Sequence, residues 1–61
     1  MAYSPIVLYD WDFVATAGGR LYCIGTKENY KEWETSQVVL VETKQDHYKV
    51  TTLNSVYHLY W

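Results

Sequence analysis

Asp10 and Asp12, His47 and His58, Cys23, and the Gly18-Gly19 pair are the residues whose types and spacing bear on chemistry. Asp10 and Asp12 lie two apart, so on a strand they share a side and resemble the acid pair of a general acid–base site. Carboxylates at strand ends and turns have that spacing for structural reasons too. His47 follows Asp46 in a turn and His58 falls within a strand-like run, and with a single cysteine neither histidine has a neighbouring ligand at zinc spacing. No serine or cysteine has a base arranged near it in the sequence. Gly18-Gly19 lacks the further glycines and the following helix of a phosphate loop. The sequence therefore points away from an enzyme, a metal site or a bound cofactor.

Cys23 sits in the apolar run Leu21 to Ile24 and reads as a small core residue, with no second cysteine for a disulfide. The formal net charge is -2, and the basic residues Arg20, Lys27, Lys31, Lys44 and Lys49 are dispersed. A phosphate-binding surface needs them clustered, so a nucleic-acid partner is not expected. The start, Met-Ala-Tyr-Ser-Pro, has no charged segment followed by a long apolar one, and no window has the apolar length of a membrane helix. The expectation is one soluble, cytoplasmic domain spanning residues 1–61, with no membrane partner.

A chain of 61 residues buries only roughly 60% of its unfolded surface, so dense packing has to supply its stability. An aromatic content of 18% can do so, because each buried ring removes about 150–250 Å² from water. Seven tyrosines and three tryptophans exceed what so small a core encloses. Tyr and Trp also dominate recognition surfaces, which makes Tyr9, Trp11, Tyr30, Trp33 and Tyr60 candidates for a protein-binding patch. The same rings are the candidates for stacking a sugar or a base in a small-ligand alternative.

The elements that position these residues read as β, except over Lys27 to Trp33, where the β pattern breaks. Gln37 to Thr43 holds the longest aliphatic run, with apolar residues on both faces, and is expected to be the central strand. Pro5 fits the start of a strand over Ile6 to Trp11. A two-residue turn at Gly18-Gly19 pairs Thr16 with Leu21, Val14 with Cys23 and Phe13 with Ile24. Asn29 to Glu32 has the spacing of a capping box, predicting one helical turn that sets Tyr30 and Trp33 on one side.

In the C-terminal half, a turn at Gln45-Asp46 pairs Val41 with Val50 and Glu42 with Lys49. A second turn at Asn54-Ser55 pairs Thr52 with Tyr57 and Val50 with Leu59. One face then collects Val39, Val41, Tyr48, Val50, Tyr57, Leu59 and Trp61. The other carries Val38, Leu40, Glu42, Lys49, Thr51, His58 and Tyr60. Of these, Val38, Leu40, His58 and Tyr60 form a candidate interface for a homodimer or another protein.

The run Leu8-Tyr9-Asp10-Trp11 resembles the Ala-Leu-Tyr-Asp-Tyr strand of SH3 domains, whose aromatics line a groove for proline-rich peptides. The likeness covers about four positions. The later tryptophan pair is missing, since Glu34 follows Trp33, and so is the closing Gly…Pro-x-Asn-Tyr. The end, Val50 to Leu59, resembles the closing hairpin of small β-rich proteins from phages and mobile elements, some of which are anti-defence inhibitors of the anti-CRISPR kind. These readings give an all-β domain of about five antiparallel strands, an SH3-like small barrel or a curled open sheet, with one helical turn. The function they imply is a non-enzymatic protein-binding module, of the phage inhibitor type.

Overall fold

The computed structural model describes residues 5–61, so the opening Met1 to Ser4, on which the leader reading partly rests, lies outside it. The strands are β1 (Ile6–Ala15), β2 (Leu21–Lys27), β3 (Tyr30–Glu34), β4 (Val38–Thr43), β5 (His47–Thr52) and β6 (Val56–Tyr60). They form one open sheet in the order β3-β2-β1-β6-β5-β4. The domain is all-β, with six strands rather than five and no helix among the described residues. Two antiparallel meanders, β1-β2-β3 and β4-β5-β6, meet where β1 runs parallel to β6, pairing Ile6 with Tyr57, Val7 with His58 and Leu8 with Leu59.

The centre of the sheet is therefore β1 and β6, and the Gln37 to Thr43 run is an edge. This corrects the expectation from its apolar character. Val39, Leu40 and Val41 remain 55%, 51% and 39% exposed, so this apolar run is not buried on both faces. A register shift leaves Val39 without a partner between the pairs Val38–Thr52 and Leu40–Thr51. That extra residue separates Val38, which packs against the core, from Leu40, which does not. The shared face expected for Val38 and Leu40 is broken by it.

A second bulge lies in β1. The pairs Tyr9–Thr26 and Asp12–Ile24 leave Asp10 and Trp11 opposite Gly25 alone. Asp10 takes φ 49, a left-handed conformation that Asp tolerates better than most side chains. The added residue switches the alternation, so Leu8, Trp11 and Phe13 all reach the core. Gly25 is what admits it: a Cβ there would lie 3.0 Å from the Tyr9 carbonyl oxygen and 3.2 Å from Trp11 Cα.

The first hairpin is offset by one residue from the two-residue turn expected at Gly18-Gly19. Ala15 pairs with Leu21, Val14 with Tyr22 and Phe13 with Cys23. The Thr16 N–H donates to the Arg20 carbonyl at 2.8 Å, and Gly19 donates to the Thr16 carbonyl at 3.0 Å. The Thr16 hydroxyl accepts from the Arg20 N–H at 3.2 Å. Only Gly19 takes a positive φ, 82, as a three-residue loop with one left-handed position needs. The longer loop sets Cys23 opposite Phe13, and both belong to the core.

The helical turn expected over Lys27 to Trp33 is instead a hairpin. Lys27 pairs with Tyr30 across Glu28-Asn29, and Glu28 takes φ 52. One isolated turn of helix fixes several residues for very few hydrogen bonds, whereas β3 gains a ladder with β2. Lys31 and Glu32 together oppose Thr26, with Glu32 at φ 60. This bulge, not a helix, brings Tyr30 and Trp33 together, with ring centroids 5.8 Å apart.

Val41–Val50 and Glu42–Lys49 pair as the sequence predicts, closed by Lys44 N–H donating to the His47 carbonyl at 2.8 Å. The last hairpin is offset by two: Val50 faces Tyr57 and Tyr48 faces Leu59. Its turn is Leu53-Asn54, held by Thr52, whose hydroxyl donates to the Ser55 carbonyl at 3.0 Å and accepts from the Ser55 N–H at 3.2 Å. An offset of two preserves the faces, so Val50, Tyr57 and Leu59 are buried together.

The connector from β3 to β4 curls the sheet. Thr35 N–H donates to the Cys23 carbonyl at 2.9 Å, while its hydroxyl accepts from the Cys23 N–H at 2.9 Å. Ser36 Oγ then donates to Thr52 Oγ1 at 2.9 Å, and Leu53 N–H donates to the Gln37 carbonyl at 3.0 Å. Thr35 and Thr52 are buried, and these bonds satisfy them. The core they close over is Leu8, Cys23, Val50, Tyr57 and Leu59, ringed by Ile6, Trp11, Phe13, Trp33, Val38 and Tyr48.

Gly25→Ala should cost about 1–3 kcal/mol, because backbone atoms of β1 must move to admit the methyl group. Gly18→Ala meets only Thr16 Oγ1, at 3.9 Å, and should fold with near-native stability. Urea denaturation of both variants checks this. Equal midpoints would mean that the bulge does not depend on Gly25.

Candidate functional site

The single-residue candidates for chemistry have local roles. Asp10 occupies the β1 bulge, and Asp12 Oδ1 accepts the Phe13 N–H at 2.8 Å, while both carboxylates stay exposed. Burial pushes the Cys23 thiol up to about 11, leaving it protonated and a poor nucleophile at neutral pH. Among the described residues no three His, Cys, Asp or Glu side chains gather as metal ligands, and no helix is long and apolar enough to cross a membrane.

A ring cluster stands on the outer face of β5 and β6. The register pairs His47 with Tyr60 and Lys49 with His58, side chains that alternate away from Tyr48, Val50, Tyr57 and Leu59. The His47 and His58 rings lie 4.3 Å apart between centroids, and His47 and Tyr60 4.7 Å. Tyr60 Oη is 3.5 Å from His58 Nδ1. At the turn, the Asp46 carboxylate lies 2.7 Å from His47 Nδ1 and orients that imidazole. Burial lowers the His58 pKa from its ordinary value; the nearby His47 and Lys49 charges lower it further, against an opposing pull from Asp46. Tyr9, exposed, is the residue after Leu8 in β1, and Tyr60 the residue after its partner Leu59 in β6. Both therefore follow a buried leucine and lie outside the core.

The five candidate aromatics divide between three places. Tyr9 and Tyr60 belong to the outer face. Trp11 is half-buried against the core: its Nε1–H donates to the Tyr60 carbonyl at 2.8 Å, and its ring meets Phe13 and Tyr48 edge-on, each at 5.6 Å. Trp33 also packs on the core, its Nε1–H donating to the Tyr57 hydroxyl at 3.3 Å. Lys27 Nζ lies 4.2 Å over the Trp33 ring, occupying one of the faces that a stacked sugar or base would use. Tyr30 stands exposed at the β2-β3 hairpin. Of the candidate interface, His58, Tyr60 and Leu40 are outside the core, while Val38 packs against it.

The His47–His58 contact does not follow from the turn expected at Asn54-Ser55. With the last turn at Asn54-Ser55, His58 falls opposite Thr51, two residues nearer that turn than its observed partner Lys49. The Thr52…Ser55 pair, whose side chain and backbone can close a turn on each other, is the signal that aligns the rings.

No family model, curated protein or solved structure matches the chain.

Because the folded state disfavours the His58 cation, the unfolded chain binds that proton more tightly. The contribution to stability is complete above the ordinary histidine pKa of 6.5 and is lost as pH falls through the lower folded value. Thermal melts between about pH 8 and pH 5 should show Tm declining below the ordinary histidine range. His58→Gln should flatten that part of the profile. An identical decline in the variant would assign it to other groups.

Proposed function

We propose that this chain is a non-enzymatic protein-binding module that works by occupying a partner's surface, in the manner of a phage-type inhibitor of a cytoplasmic host defence protein. The observation that carries the reading is the ring cluster of His47, His58 and Tyr60 on the outer face of β5 and β6, with Tyr9 exposed on β1 across the seam. These rings lie opposite the core, so hydrophobic closure of the fold does not require them there. Rigid amphipathic rings held by a sheet lose little entropy on binding, and this is why such residues concentrate energy at interfaces. Dispersed basic residues and a net charge of -2 favour a protein over a nucleic acid as the surface they meet.

Affinity capture from the native host, read by mass spectrometry, tests the reading when wild type is compared with a Tyr9→Ala/Tyr60→Ala double variant. The Trp11 hydrogen bond goes to the Tyr60 backbone and survives the change. The double variant should therefore melt close to wild type and yet bind the captured partner at least about tenfold more weakly. Trp33→Ala, by contrast, should cost about 3–5 kcal/mol of stability as a core truncation. Undiminished binding by the double variant would remove the outer face from the proposal.

A further inference from the structure

The two edges of the sheet differ in how they are protected. β3 carries Lys31, Glu32 and Glu34 within its five residues, and Glu32 breaks its line with φ 60. Charges and bulges of this kind are how an edge strand avoids pairing with another chain. β4 has no charge from Val38 to Val41, and its side chains there are largely outside. Lys44 N–H points at β5, donating to the His47 carbonyl. By the alternation of an antiparallel ladder, Glu42 and Leu40 also turn their backbone groups towards β5, while Val41 and Thr43 turn theirs to the open side.

We infer that β4 is the dimerisation edge of this protein, where a second copy of the chain adds its own β4 antiparallel with the two-fold axis at Leu40. Two arguments select a second copy as the occupant. The run Val39-Leu40-Val41 reads the same in both directions, so a two-fold axis sets apolar residues of one copy against apolar residues of the other. Placing the axis there also keeps the two Glu42 carboxylates from facing each other, which an axis at Glu42 would not. Second, the assembly closes. Pairing consumes the unguarded edge of both copies and leaves only the two β3 edges, which are charged and bent, so growth stops at two. The rings of the outer face take no part in this pairing.

Sedimentation velocity of the full chain over a range of concentrations tests it. Wild type should shift from monomer to dimer with rising concentration and form nothing larger. Val41→Pro removes an N–H that faces the open edge and no hydrogen bond to β5, so it should keep the native circular dichroism spectrum and stay monomeric. Leu40→Lys, on an exposed side chain, should likewise stay folded and raise the dimer dissociation constant about a hundredfold. A wild type that is monomeric at every concentration overturns the inference. So does a folded Leu40→Lys variant that dimerises as wild type does, or a wild-type ladder of higher oligomers. If Val41→Pro unfolds, Leu40→Lys decides alone.

Discussion

The parallel seam between β1 and β6 is the interaction on which the rest of the structure depends. It joins the two ends of the described chain, and its centre is the pair Leu8–Leu59, both fully buried. Each meander alone is a three-stranded ribbon with one apolar face, at the lower limit of independent stability. Joined, they curl around a shared core that takes Leu8 and Cys23 from one half and Val50, Tyr57 and Leu59 from the other. The seam is short, and parallel pairing is slightly weaker per residue than antiparallel pairing. Side chains make up for this: beyond the last paired residues, the Trp11 indole donates to the Tyr60 carbonyl across 49 positions of sequence. A seam of that separation closes a long loop, so its contacts cost more chain entropy than the local hairpins within each meander.

Bulges decide which side chains reach that core. Each of β1, β3 and β4 carries one extra residue against its neighbour. In β1 the extra residue joins Leu8 to Trp11 and Phe13, and in β3 it joins Tyr30 to Trp33. Two of the three bulges place a charged residue, Asp10 or Glu32, in the left-handed region, a local cost that the surrounding packing offsets. Gly25, opposite the first of them, is the one position where the neighbouring strand must lack a side chain.

These same features mark how far the sequence could be read. The β class, the Glu42–Lys49 register, the buried Cys23 and the shared inner face of Val50, Tyr57 and Leu59 follow from composition and alternation. Alternation assumes a constant period, so it fails at each bulge, and the capping-box spacing at Asn29 to Glu32 then stands in for one of them. The seam has no local signature, because nothing beside Ile6 to Leu8 names β6 as a partner. Of the candidate aromatics, the face of Tyr60 was legible; the separation of Tyr9 from Trp11 depends on the Asp10 bulge, and the histidine contact on the last turn, so neither was. A two-residue error in a turn leaves every side chain on its proper face while moving His58 away from His47.

The position of the aliphatic run Val38 to Val41 follows from the same physics. Apolar residues on both faces of a strand usually mean that it is covered on both, and that rule places Gln37 to Thr43 at the centre. The sheet closes differently, because the connector Thr35 to Gln37 is tied to Cys23 on one side and to Thr52 and Leu53 on the other. That tie delivers β4 to the sheet beyond β5, with its first residue, Val38, at the rim of the core. A regular strand from there would send Val38 and Leu40 to one face. The unpaired Val39 lets the core take Val38 and leave Leu40 outside, so one residue of the run serves the monomer's interior while the next three form its unguarded edge.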